Sequence, residues 1–239
     1  MIASFPMYDR PETAPANDRL WALIRDALRS RGVDAPDQLT RAEDLMALWR
    51  APDLLLAQTC GLPYRAVLHP HVTLVGTPDY GLPDCPAGYY CSVLVAREPL
   101  EVATARFAYN DPLSQSGWAA AQAMFGGALR PVLCTGSHRA SARAVAQGEA
   151  DLAAIDAVTW ALIRRHDRFA DGLIEIGRTT PAPGLPLVTA RPDLAGVLAS
   201  AVSEAIAALA PGDRACLMIR ALVPVAPAEY LALPLPPKP

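Results

Sequence analysis

The run Asp53-Leu54-Leu55-Leu56-Ala57-Gln58 is too short for a buried helix and too continuously apolar for a strand with one wet face. A strand covered on both faces, as in a parallel sheet, accounts for it. Similar short segments recur at 2–7, 72–77, 89–96, 106–109, 132–135, 152–155 and 173–178. Between them the apolar spacing turns helical. Leu20, Trp21, Leu23, Ile24, Ala27 and Leu28 make one face, with Asn17 or Asp18 as the expected cap and Gly32 as the stop. Further helices are expected over 41–49, 118–125, 140–147, 157–165 and 193–209, and a last apolar stretch at 221–225 precedes a proline-rich end. This alternation predicts an α/β fold with mainly parallel sheets, in which ligands collect at the carboxyl ends of strands.

The 239 residues are 52% hydrophobic, enough for one large domain or two small ones. A net charge of -3, with no run of Lys or Arg, argues against a nucleic-acid surface. Cysteines 60, 85, 91, 134 and 216 form no CxxC pair and no zinc pattern, so neither a metal nor another cofactor is expected. The plain reading is five reduced, mostly buried thiols; pairing of Cys85 with Cys91 across a turn, in an oxidising compartment, stays open. The opening Met1-Ile2-Ala3-Ser4-Phe5-Pro6-Met7-Tyr8 has no basic n-region, apolar h-region or cleavage site. Two locations follow: the cytoplasm, or the periplasm if an export signal has been removed. No window approaches 18 uninterrupted apolar residues, so no transmembrane helix is expected.

The strongest local signal is Tyr109-Asn110-Asp111-Pro112-Leu113-Ser114-Gln115-Ser116-Gly117-Trp118, a strand end opening into a helix. The first N–H groups of a helix lack intrahelical partners, and with the helix dipole they attract anions. Ser114 and Ser116 can add hydroxyl donors, Asn110 and Gln115 amides, and Gly117 lets the chain approach closely. An ordinary N-cap serine is the competing reading. Gly136-Ser137-His138 repeats the arrangement, and His138 would donate to an oxyanion more strongly if protonated. Asp156 ends another strand, where it can orient a donor, accept from a protonated phosphonate, pair with a ligand amine, or simply cap the next helix. Tyr8, Gln58, Thr59 and Tyr64 lie at strand ends of the first half and are candidates to close over a ligand; Tyr90 and Ser92 are weaker ones.

In their order, these segments, with Gly148-Glu149-Ala150-Asp151-Leu152-Ala153-Ala154-Ile155-Asp156, resemble the phosphate/phosphite/phosphonate-binding family of ABC-transporter solute receptors. The resemblance covers most of the chain and is clearest from 50 to 190. It implies the two-lobed periplasmic-binding-protein type II fold, each lobe a mainly parallel sheet flanked by helices, with the ligand cleft between the lobes. The expected division is 1–100 with 188–239 as lobe 1 and 101–187 as lobe 2, crossing near 97–105 and 180–187. The family's Ser-Thr-Ser-Gly-like loop corresponds to Ser114, Gln115, Ser116 and Gly117, with Gln115 departing from the usual hydroxyl residue. Its histidine corresponds to His138, its aspartate to Asp156, and its covering tyrosines to Tyr8 and Tyr64.

The expected function is capture of a small oxyanion, phosphonate- or phosphate-like, by hinge closure of a monomeric, non-enzymatic binding protein serving an ABC permease. Two alternatives remain: a cytoplasmic lyase or biosynthetic enzyme on the same fold, with Asp156, His138 and Cys60 as acid, base and nucleophile, or a ligand sensor.

Overall fold

Leu54–Gln58 is buried along its whole length in the computed structural model of the chain, which describes residues 1–239. It pairs in parallel with Ile2–Ser4 and antiparallel with Leu187–Thr189. Leu187–Thr189 also runs antiparallel to Thr73–Asp79, whose other edge takes Ala221–Val223. In this first sheet three strands share one direction and two oppose it. The three-residue strand at 187–189 gives too short an apolar run to stand out from the prolines before it.

Helices Ala14–Arg29 and Ala195–Ala208 supply much of the apolar cover: Trp21, Ile24 and Leu28 join Leu198, Val202 and Ile206 over Leu55 and Leu56. The first helix starts a turn earlier than the expected cap at Asn17 or Asp18. Thr13 fixes that start, its hydroxyl donating to the Tyr8 carbonyl (2.6 Å) and accepting from Arg10 N–H (3.0 Å). Pro15 then falls in the first turn, where a missing N–H costs nothing. Asn17 is buried instead, its amide donating to Asp9 (3.0 Å).

The second sheet runs Arg130–Cys134, Arg106–Tyr109, Leu152–Asp156, Ser92–Ala96, Ile174–Arg178 in spatial order. Ser92–Ala96 is antiparallel to both neighbours, while the other four share a direction. Phe107, Tyr109, Trp118, Leu94, Leu152 and Ala154 form its core, with the Tyr109 and Trp118 rings 4.9 Å apart. The Trp118 indole N–H donates to the Pro237 carbonyl (2.8 Å), tying down the proline-rich end.

The chain divides into Met1–Pro83 with Pro183–Ala232, and Asp84–Ala182 with Leu233–Pro239. Three segments therefore sit differently from the expected boundaries, the shortest being 183–187, which falls in the first unit with the strand Leu187–Thr189. Residues 84–100 belong to the second unit, because Ser92–Ala96 lies inside its sheet. The tail 233–239 joins it too, through Trp118. The helix expected over 41–49 shortens to Leu45–Trp49, capped by Asp44 at Ala47 N–H (2.9 Å). Of the five cysteines, all free, only Cys91 is buried and Cys134 is exposed, so the expected general burial of the thiols does not hold. No single helix is long and apolar enough to cross a membrane.

Asp151 staples the second sheet at the start of Arg106–Tyr109. Its carboxylate accepts from the Arg106 backbone N–H (3.0 Å) and guanidinium (2.8 Å), and those bonds hold it down at about 2. A depressed carboxylate stabilises the fold above its ordinary value of 3.8 and loses that contribution as pH falls toward 2. Asp151→Asn is expected to cost about 1 kcal/mol at pH 7, a figure reduced for the partly exposed pair. Thermal unfolding of both proteins across pH should show the difference vanish between about 4 and 2; equal melting at neutral pH would refute the staple.

Candidate functional site

Arg106–Tyr109 delivers its chain end into the loop that begins at Asn110. Ser114 closes that loop as an N-cap, its Oγ accepting from Gly117 N–H (2.9 Å). The helix then opens with a wide turn, Gln115–Ala119, before continuing as Ala120–Met124. Ala119 N–H donates to the Ser114 carbonyl (3.0 Å), one residue later than in an α-helix. The backbone N–H groups of Gln115 and Ser116 thus stand ahead of the first intrahelical bond, in the part of a helix that favours anions. Such wide turns recur at functional sites. Ser114, Gln115, Ser116 and Gly117 are all buried.

The second loop is bound to the first. Thr135 N–H donates to the Tyr109 carbonyl and Gly136 N–H to the Asn110 carbonyl, each at 2.9 Å. Ser137 caps the helix His138–Ala146 through Ala140 N–H (3.1 Å), so its hydroxyl oxygen serves its own helix. The helix begins at His138 rather than near 140, which turns the imidazole toward the cradle. His138 Nε2 meets Ser116 Oγ at 2.9 Å. Nδ1 is shut off from solvent and faces the Ala154 carbonyl without a well-formed hydrogen bond. Burial pushes the imidazole down to about 4, against a weak opposing pull from that carbonyl. His138 is therefore neutral at pH 7, not the cation that would donate most strongly.

Gly117 is where these pieces converge. A Cβ there would lie 1.8 Å from Asn110 Oδ1 and 3.1 Å from His138 Cε1. Asn110 Oδ1 is itself buried without a hydrogen-bond partner.

Asp156 is buried and caps Ala157–His166 through Thr159 N–H (2.9 Å). It stands opposite Ser92 in the antiparallel register. Ser92 Oγ donates to the Ser116 carbonyl (2.8 Å), and Ser92 N–H donates to Thr179 Oγ1 (2.9 Å). Ser92, a weak candidate from the sequence, thus bolts the cradle to its sheet. Thr179 was missed altogether. A serine at a strand start and a threonine just past a strand end carry no local signal for such a role; only the register exposes it.

In the first unit the remaining candidates occupy one end of the sheet. Tyr8 packs edge-on against Tyr80 (5.0 Å between centroids), and Tyr80 Oη accepts from Gln58 Nε2 (2.9 Å). Thr59 is fully buried, and its Oγ1 has no hydrogen-bond partner. Tyr64 is buried edge-on against Tyr230 (5.3 Å), which raises its phenol above the ordinary value. Tyr230, unremarked in the sequence, holds Thr77 (2.7 Å) and the Gly184 carbonyl (2.9 Å) through its hydroxyl.

Gly117→Ala is expected to destabilise the protein by about 1–3 kcal/mol, because the new methyl must displace the Asn110 amide. A melting temperature equal to the parent's would show that the loop yields freely. His138 adds a pH signature. Between 6.5 and about 4 the unfolded chain takes up a proton that the folded imidazole refuses, so stability is full above 6.5 and declines as pH falls through that window. His138→Gln should flatten that decline in urea unfolding at pH 7 and pH 4.5; an unchanged slope would mean that the ring is not desolvated.

The family described as the ABC transporter phosphonate periplasmic substrate-binding protein matches residues 14–230. No curated protein matches in sequence. Among solved structures, XAC2383 from Xanthomonas citri bound to ATP is 14% identical with a TM-score of 0.71, covering 98% of this chain and 94% of its own. PhnD1 from Prochlorococcus marinus, in complex with methylphosphonate, is 14% identical with a TM-score of 0.69, covering 96% and 94%. A binding-protein component of an ABC phosphonate transporter from Pseudomonas aeruginosa is 18% identical with a TM-score of 0.67, covering 96% and 82%. The fold is the two-lobed type II fold of periplasmic binding proteins. With nine-tenths of its length matched, this chain belongs to the phosphonate substrate-binding proteins of ABC transporters.

Proposed function

We propose that this solute-binding protein captures a small phosphonate- or phosphate-like oxyanion at the helix start Gln115–Ala119 and hands it to an ABC permease from the periplasm. One observation carries the reading: a buried helix N-terminus whose Ser116 hydroxyl is bonded to a neutral imidazole. The N–H groups of Gln115 and Ser116 and the hydroxyls of Ser114 and Ser116 supply the donors. An anion needs the Ser116 proton. His138 Nε2 fixes the Ser116 hydroxyl at the helix start whichever of the two carries the shared proton, which makes His138 a positioning residue. Asn110 and Ser137 border this cradle, and Asp156 accepts from a ligand N–H or a protonated phosphonate oxygen. Tyr8 is assigned to cover the ligand on closure of a monomer about its crossing segments, whereas Thr59 and Tyr64, expected in the same role, are buried in the packing of the first unit.

The Ser116–His138 pair also has the spacing of a nucleophile and its base. An imidazole pushed down to about 4 is a weak base at neutral pH, which favours binding over catalysis.

Phosphate, phosphite, methylphosphonate, a sulfonate and an amino acid are the probes. A true ligand at 100 times its Kd should stabilise the fold by about 2.7 kcal/mol in a thermal-shift assay. Calorimetric titration of that probe should show Ser116→Ala and His138→Ala each weakening binding by about tenfold to a hundredfold, the worth of one hydrogen bond to a charged group. Unchanged affinity in both variants removes the cradle; no shift with any oxyanion removes the ligand class.

A further inference from the structure

Cys85 and Cys91 lie in one short loop of the second unit. The Tyr89 N–H donates to the Pro86 carbonyl (2.9 Å), closing a turn whose third residue, Gly88, sits at φ +76, the left-handed region that glycine enters without strain. The chain reverses there and carries the Cys85 thiol close to Cys91. Cys91 is buried, whereas Cys85 is half-exposed. Arg178, facing Val93 across the sheet, extends its guanidinium to the Cys91 sulfur. No other pair of cysteines in the chain is so close in sequence.

We propose that Cys85 and Cys91 are a dithiol built to close into a disulfide, which pins the segment entering the second unit onto the strand that bolts the cradle. The inference stands on the loop's geometry and does not depend on the identity of the ligand. Its context is the family's periplasmic setting, where thiols meet disulfide oxidants. One thiolate attacks a sulfur of an oxidant disulfide; the second attacks the resulting mixed disulfide. One S–S bond forms in the protein and one breaks in the oxidant. Two protons leave the thiols, and two electrons reduce the oxidant to its dithiol level. Arg178 sets a positive charge beside a sulfur that carries negative charge during exchange. Burial beside Cys91 keeps the Cys85 thiol protonated, pushed up to about 12, which slows adventitious reaction. Ser92, next to Cys91, holds the Ser116 carbonyl, so the covalent tie lies one residue from the cradle's support.

Trypsin reads this out on the unaltered protein, because the peptide 66–97 contains these two cysteines and no other. The folded protein is incubated with oxidised glutathione, denatured, alkylated with iodoacetamide and digested. The expected product is this peptide two hydrogens lighter and unalkylated, with a melting temperature that rises on oxidation and returns on reduction with dithiothreitol. Cys85→Ser should lose that reversible rise. A peptide recovered doubly alkylated, or carrying glutathione on either sulfur without ring closure, overturns the proposal, as does a melting temperature indifferent to oxidation.

Discussion

The antiparallel seating of Ser92–Ala96 between Leu152–Asp156 and Ile174–Arg178 is the constraint on which the candidate site depends. A strand buried on both faces cannot slip by one residue without turning Val93 and Val95 inside out against their neighbours. The register therefore sets Ser92 opposite Asp156, and Ser92 in turn reaches the Ser116 carbonyl. Parallel pairing of Arg106–Tyr109 with Arg130–Cys134 does the rest, laying Asn110 beside Gly136. Two loops and two helix starts are placed first by backbone ladders, and the Ser92 and Ser116–His138 side-chain bonds then tie them together.

Electrostatics at the cradle is unusual for its lack of a cation. His138 is neutral, and Arg139 beside it is committed to Asp167 (2.8 Å). An anion there would rest on backbone N–H groups, hydroxyls and the helix dipole. Each is modest in water, yet in a buried setting a charge-assisted bond is stronger than a neutral one. Neutral donors also leave release feasible, since no buried ion pair has to be broken when the anion departs. That combination suits a carrier that must both hold and surrender its solute.

Much of this was legible in the residues and some was not. The apolar runs at 54–57 and 152–155, and the strand-end sequences at 109–118 and 136–138, announce themselves because burial on both faces and helix initiation leave strong local marks. The crossing point at 83–84, the short strand Leu187–Thr189 and the roles of Ser92, Thr179 and Tyr230 do not. Each depends on which distant segment a strand pairs with, information that no window of sequence contains. Asn17 misled for the opposite reason: a good capping residue was spent on a buried bond to Asp9 once Thr13 had already fixed the helix start.

The same distinction explains how the fold persists at 14–18% identity with TM-scores near 0.7. Recognition through backbone N–H groups asks little of the side chains that flank them. Gln115 can stand where the family's loop has a hydroxyl residue, because the amide N–H at that position is contributed whatever the side chain. Less free to drift are the space at Gly117, where a Cβ would meet the Asn110 amide, and the hydroxyl at Ser116 that meets His138. Under the proposed function, ligand preference is then free to vary through Gln115 and its neighbours while the backbone of the cradle stays fixed. On the proposed reading, specificity and anion holding are carried by different atoms of the same turn.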